Sequence, residues 1–243
     1  MFLLEKNSYG KVEPMFEKML DYETTVIWAL KSNNAPCQIY VDNLTNPQSC
    51  YIQVSWGACY FGGKYNEQFV EACIKQKFTK PKMYCIFSDI EILKKIDENM
   101  PVKCEYRHGI TLGAQLYYKL STEKFLSNGL SFKELPGNYE LILNTEKENE
   151  KVILMYNGKE AGHCDGGYSQ EDVSINLDVF LEEEHRNRGI GPLVCAKLID
   201  YHLSQNHHDI AWGCFGINVP SAKCAEKLGF EKIHEGDVIF CFT

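Results

Sequence analysis

HRNRGIGPLV, residues 185–194, is the stretch whose reading decides the fold. It packs two arginines, two glycines and a proline between an alternating apolar run and an amphipathic segment. Before it, Ile175, Leu177, Val179 and Leu181 share one face while Asn176, Asp178 and Phe180 share the other, the period-two pattern of a half-buried strand. After it, residues 192–203 have helical spacing, and Pro192 suits the first helical position because it has no N–H to leave unpaired there. Between strand and helix, small residues let several main-chain N–H groups converge, and the helix start adds partial positive charge. Arg186 and Arg188 can add two-pronged contacts to phosphate oxygens. A diphosphate is the natural ligand. The stretch lacks both the Gly-Lys-Ser/Thr ending of a P-loop and the GxGxxG spacing of a dinucleotide turn.

Working outward, the second half reads as strand, glycine turn, helix, strand, helix, strand. Residues 139–143 and 152–156 are predicted strands flanking a charged turn at 145–151, and Asn157-Gly158 is a strong hairpin signal. Residues 210–214 are a strand, 221–228 a short helix and 238–242 a final strand. The first half carries helix-like spacing at 12–20 and 24–30. Strand-like runs follow at 38–41 and 50–56, joined by an Asn/Asp/Pro-rich turn. Residues 66–78 read as a helix with Phe69, Val70, Cys73 and Ile74 on one stripe. A short strand at 83–87 leads to a helix at 89–98 with Asp89 as its cap, and 102–111 alternates loosely as another strand. The Asn-Gly and Pro-Gly pairs within 121–138 mark a boundary between an N-terminal α/β domain, 1–127, and a second domain, 128–243.

The 243 residues are 44% hydrophobic and 24% charged, the composition of an ordinary globular protein. A net charge of −8 weighs against nucleic acid or anionic membranes as partners and favours a cationic small molecule. The N-terminal stretch reads as neither export signal nor membrane anchor, so a soluble cytoplasmic protein is expected. Its eleven cysteines would be reduced thiols packed as small hydrophobes. No CxxC pair suggests a structural zinc, and no metal is expected.

A second segment, WGCFGINVPSAKCAEKLGF at 212–230, joins a strand to a helix through Asn218. Together the two segments resemble the GNAT superfamily of acetyl-CoA-dependent N-acetyltransferases. There an Arg/Gln-x-x-Gly-x-Gly/Ala turn precedes, by about thirty residues, an Asn-x-x-Ser/Ala element leading into a helix that ends Glu-Lys-Leu-Gly-Phe. Here these are Arg186, Gly189 and Gly191, then Asn218, Ser221 and residues 226–230. The Trp212-to-Phe230 form looks closest to the subgroup that includes the zwittermicin A resistance acetyltransferase. The close resemblance covers about 174–230 and extends loosely over 130–243. It implies a mixed α/β GNAT fold in the C-terminal half, and the N-terminal half has an element order that fits a degenerate second copy.

The resemblance also implies roles. Val179, Phe180 and Leu181 would lie along the pantetheine arm, with the Leu181 N–H polarising the thioester carbonyl. Arg186, Asn187, Arg188, Gly189, Ile190 and Gly191 would hold the pyrophosphate. Asn218, with Ser221, would reach the pantetheine or the departing thiol. Acetyl-CoA is then the co-substrate and a primary amine of a small cationic molecule the acceptor. The family's usual tyrosine, seven residues after the asparagine, is Ala225 here, and the strand at 212–214 offers no glutamate. Asp178 is the candidate base and Glu182 the next; Glu182-Glu183-Glu184 suits a cation, though such a run is usually a solvated acidic face. A catalytically silent acyl-CoA-binding or regulatory module and a nucleotide-binding protein stay open as alternatives, as does a homodimer.

Overall fold

The computed structural model of the chain describes residues 1–32, 35–78, 83–99, 112–146, 150–167 and 174–242. In chain order the elements are β1 (Phe2–Leu3), α1 (Thr24–Lys31), β2 (Cys37–Val41), β3 (Ser49–Val54), β4 (Ala58–Gly63), α2 (Glu67–Lys77), β5 (Met83–Phe87) and α3 (Ile90–Asn99). Next come β6 (Leu112–Leu120), α4 (Thr122–Ser127), β7 (Tyr139–Asn144), β8 (Lys151–Tyr156), β9 (Lys159–Gly167), β10 (Ile175–Leu181), α5 (Gly191–Ser204), β11 (Ile210–Phe215), α6 (Val219–Leu228) and β12 (Phe230–Phe242). The chain is α/β and divides into two compact units: Met1–Gln115 with Glu235–Thr243, and Leu116–His234.

In unit 1, β1, β2, β3 and β4 form an antiparallel run, β4 pairs in parallel with β5, and the end of β12 pairs antiparallel with β5 through Val238↔Phe87 to Phe242↔Met83. α2 connects the two parallel strands and is capped by Asn66, whose side chain accepts the Phe69 N–H at 3.1 Å. Its stripe of Phe69, Val70, Cys73 and Ile74 is buried, as the spacing requires. The predicted helix at 12–20 is replaced by tighter 3-10 turns at Lys6–Lys11 and Glu13–Met19. Pro14 explains part of this, since it cannot donate within a helix interior and takes the start of the second turn instead. The strand predicted at 102–111 lies outside the described residues, as does part of the turn at 145–151.

In unit 2 the strand order is β6-β11-β10-β9-β8-β7, with β10 and β11 parallel and the run from β10 to β7 antiparallel. α5 packs on β8, β9 and β10, placing Val194, Cys195, Leu198 and Ile199 against Val152, Leu154, Cys164, Ile175 and Leu177. Each such Leu, Ile or Val contributes about 1.5–3 kcal/mol through burial. The stretch 121–138 carries α4 and a 3-10 turn at Leu130–Phe132, with Phe125 and Leu130 in this core. α6 ends at Gly229, whose φ of +93° and packing against the Phe125 backbone leave no room for a side chain. The last strand begins at Phe230, earlier than the apolar run at 238–242 suggests, because its first half presents mostly exposed charged and polar residues.

Candidate functional site

The pairing between β10 and β11 consists of Ile175↔Ile210 and Asn176↔Ala211, although β10 continues to Leu181 and β11 to Phe215. The other edge of β10 stays paired with β9 as far as Leu181↔Gly162. The two parallel strands therefore part toward their C-terminal ends. Main-chain direction alternates along such a ladder. Glu182 N–H donates to Ala161 O at 2.9 Å on the β9 side, and Ile175 N–H donates to Asp209 O at 2.9 Å on the β11 side. By this alternation Val179 and Leu181 turn their N–H and C=O groups away from β9, into the opening. The expected cofactor strand thus presents main chain, not side chains, to the gap.

The turn 186–191 continues from the end of that strand. Asn187 and Gly189 take left-handed φ values of +59° and +73°. Among the described residues, no hydrogen bond is donated by the main-chain N–H of Asn187, Arg188, Gly189, Ile190 or Gly191. A side chain added at Gly189 would meet open space, so the loop is not packed shut. α5 begins at Gly191, one residue before the expected Pro192, and Ile190 O accepts from Leu193 and Val194 at 2.8 and 3.1 Å. Buried Ile190 anchors one end of the loop. Buried His185 anchors the other: its Nδ1 lies 2.8 Å from Tyr139 Oη and its ring 5.0 Å from that of Tyr156.

Arg186 reaches back rather than simply outward. Its Nε donates to Leu181 O at 2.8 Å and its guanidinium lies over the Phe180 ring at 5.8 Å. The terminal Nη groups are the part left for an anion. Arg188 is exposed.

Asn218 follows β11 as the turn follows β10, so both expected binding segments lie at the C-terminal ends of the parting strands. Asn218 caps α6, its Oδ1 accepting the Ser221 N–H at 3.3 Å, and Ser221 Oγ in turn accepts from Trp212 Nε1 at 3.1 Å. These side chains shape the helix start; the Asn218 amide nitrogen is the donor they leave over. Ala225 is fully buried, so no acid can act from that position.

The face of β10 carrying Asp178 and Phe180 is exposed. Across the ladder Asp178 stands opposite Asp165 and Phe180 opposite His163, a residue no sequence pattern marks. Burial, then the neighbouring Asp178 charge, pushes the Asp165 carboxyl above its ordinary range. Lys151 of β8 stands opposite Asp165. Glu182, Glu183 and Glu184 are exposed beyond the strand end, where a solvated face and a cation-attracting one are the same surface.

Unit 1 repeats the arrangement of antiparallel run, parallel pair and connecting helix, but its Gly62-Gly63-Lys64 turn is closed. A side chain at Gly63 would lie 2.3 Å from Gln48 O, and one at Gly62 2.7 Å from the Phe16 ring. Lys64 N–H donates to Gln48 O at 2.8 Å and its carbonyl accepts Ser49 Oγ at 2.7 Å.

Residues 152–239, from β8 into β12, match the family model of GNAT acetyltransferase. A GCN5-related N-acetyltransferase-like protein from Streptococcus suis is similar over 98% of this chain and 99% of its own, at 18% identity and a TM-score of 0.75. The fold is a GNAT fold. A GCN5-related N-acetyltransferase from Sphaerobacter thermophilus superposes on this chain with a TM-score of 0.62 at 8% identity, covering 99% of this chain and 94% of that one. A tandem GNAT protein from the clavulanic acid biosynthesis pathway, solved without AcCoA, gives 0.62 at 10% identity over 99% and 97%. No curated protein matches the chain. The family match is confined to residues 152–239, and the neighbours, at 8–18% identity, show the fold.

Proposed function

We propose that the chain transfers an acetyl group from acetyl-CoA to a primary amine of a small cationic molecule. The observation that carries this reading is the run of unengaged N–H groups at 187–191, placed where β10 parts from β11. Those amides, with the start of α5 and the Arg186 terminal nitrogens, suit a diphosphate. Val179 and Leu181 would pair with the amides of a pantetheine arm through their main chain. The Leu181 N–H would meet the negative charge that develops on the thioester oxygen. Asn218 would offer its amide nitrogen to the arm or the departing sulfur. Asp178, on the exposed face of β10, is the carboxylate facing the incoming ammonium, with Glu182 beyond it. A thiolate is a good enough leaving group to depart without a dedicated acid, so buried Ala225 is compatible with turnover.

The closed turn of unit 1 leaves no room for a second diphosphate there, which supports a cofactor site in unit 2. Unit 1 then reads as a degenerate second copy of the fold. The Trp212-to-Phe230 signature supports kinship with the zwittermicin A resistance type, hence amino-polyols and polyamines as first acceptors to try. Ten free thiols among the described cysteines, and no described helix long and apolar enough to cross a membrane, suit a cytoplasmic setting.

Release of free thiol from acetyl-CoA in the presence of an amine panel tests the proposal. Turnover on at least one amine supports it. Tight acetyl-CoA binding with no turnover on any would favour the silent acyl-CoA-binding module, the reading that buried Ala225 keeps alive. ATP displacing CoA would favour a nucleotide site.

A further inference from the structure

His163 of β9 stands directly between Ile153 of β8 and Phe180 of β10. Its ring centre lies 5.7 Å from that of Phe180, and its Nδ1 lies 3.3 Å from Glu160 Oε1. Glu160 and His163 are three residues apart, which in a regular strand would put them on opposite faces. The strand is not regular there. Leu154 pairs with Gly162 and Met155 with Glu160, so Ala161 is an extra residue, a β-bulge. The inserted residue resets the alternation and turns Glu160 and His163 to the same face, the way bulges re-aim side chains. Ala161 is buried, and its carbonyl accepts the Glu182 N–H that fixes the direction of Leu181. One bulge therefore aims the histidine and is tied to the strand end where the Leu181 N–H enters the opening.

We propose that His163 takes the proton from the amine, with Glu160 holding its ring; this rests on the acetyl-transfer reading above. With Nδ1–H donating to Glu160, the basic lone pair lies on Nε2, and Asp165 Oδ2 is 4.0 Å from that nitrogen. The side chain is about one-third exposed, so an acceptor can reach it. The other charges on this face are Asp178 of β10, Lys151 of β8 and Arg186 across the Phe180 ring. A carboxylate is ordinarily about six pH units less basic than an aliphatic amine, an imidazole about four, so transfer to the histidine is the less uphill step.

One proton passes from the substrate ammonium to Nε2. The freed nitrogen pair forms the C–N bond at the thioester carbonyl carbon while the carbonyl oxygen takes negative charge facing the Leu181 N–H. The oxygen's electron pair re-forms the carbonyl as the C–S bond breaks, and the sulfur leaves with its electron pair and accepts the second proton that the nitrogen sheds. The proton on Nε2 passes to water. Asp165 and Asp178 attract the ammonium beforehand and stabilise the imidazolium after.

The test uses full-length His163→Gln, Glu160→Gln and Asp178→Asn proteins. Thiol release from acetyl-CoA is followed across pH with spermidine, glucosamine and n-butylamine, and acetyl-CoA affinity is measured alongside. His163→Gln is expected to lower kcat on the order of 100-fold or more with acetyl-CoA affinity unchanged. Its residual rate should climb with pH until the amine's own pKa is passed, because only amine already deprotonated reacts. Glu160→Gln should lose less, and Asp178→Asn should raise the amine KM more than it lowers kcat. A His163→Gln protein within threefold of the parent kcat, a loss confined to acetyl-CoA affinity, or a kcat loss carried by Asp178→Asn instead would overturn the assignment. A parent protein that binds acetyl-CoA but acetylates none of the amines overturns the acetyl-transfer reading itself.

Discussion

Arg186 Nε donates to the main-chain oxygen of Leu181 at 2.8 Å, joining the first residue of the glycine turn to the last residue of the strand before it. One side chain thereby couples the loop suited to a diphosphate to the backbone suited to a thioester. Replacing Arg186 by Lys keeps the positive charge but loses the planar fork that makes both contacts. Arg186→Lys is expected to raise the acetyl-CoA KM about tenfold, a loss of about 1.4 kcal/mol, while the thermal midpoint stays nearly constant. Steady-state kinetics beside a melting curve check this.

Gly189 adopts φ of +73° with open space where a side chain would be. Gly189→Val therefore suffers no packing clash but forces a β-branched residue into left-handed backbone, at a cost of about 1–3 kcal/mol. The loop is expected to relax and disperse its amides. Calorimetric titration should show acetyl-CoA affinity falling on the order of 100-fold while circular dichroism stays that of the parent; unchanged affinity would remove this turn from cofactor binding.

Asn218 has separable structural and ligand roles. Asn218→Ala removes the α6 cap and should cost about 1 kcal/mol in urea unfolding. Asn218→Asp keeps an oxygen for the Ser221 N–H but loses the amide donor. It should retain parent stability while raising the acetyl-CoA KM, and a parent-like KM would leave Asn218 as a cap alone.

His202, on α5, is buried with both ring nitrogens lacking a hydrogen-bond partner among the described residues. Burial, helped by nearby His207, lowers its pKa from 6.5 to about 4. Between those values the unfolded chain binds the extra proton and the folded one does not, so stability falls as pH drops through that window and levels off outside it. The loss reaches up to about 3 kcal/mol. Urea unfolding at pH values above and inside the window measures it, and His202→Leu should flatten this part of the pH dependence.

The turn at 185–194 was legible because glycine and proline are strong local signals and the alternation of 175–181 needs no tertiary information. The α2 stripe and the Gly229 stop were readable for the same reason. Three things were not. The charged first half of β12 gives no apolar run, since its exposed residues mask a strand whose partners lie far off in sequence. The parting of β10 and β11 is a matter of register between segments some thirty residues apart. His163 acquires its neighbours only through the bulge at Ala161, and a bulge leaves no mark in the sequence. Asp178, by contrast, was accessible from alternation alone, and the structure places it on the exposed face next to Phe180.

The most direct measurement compares calorimetric titrations of the parent protein with acetyl-CoA and with S-acetylpantetheine, which keeps the thioester and arm but has no diphosphate. If the amides at 187–191 hold the diphosphate, acetyl-CoA should bind once per chain and S-acetylpantetheine at least about 100-fold more weakly. Equal affinity for the two, or two equivalents of acetyl-CoA per chain, would contradict the account.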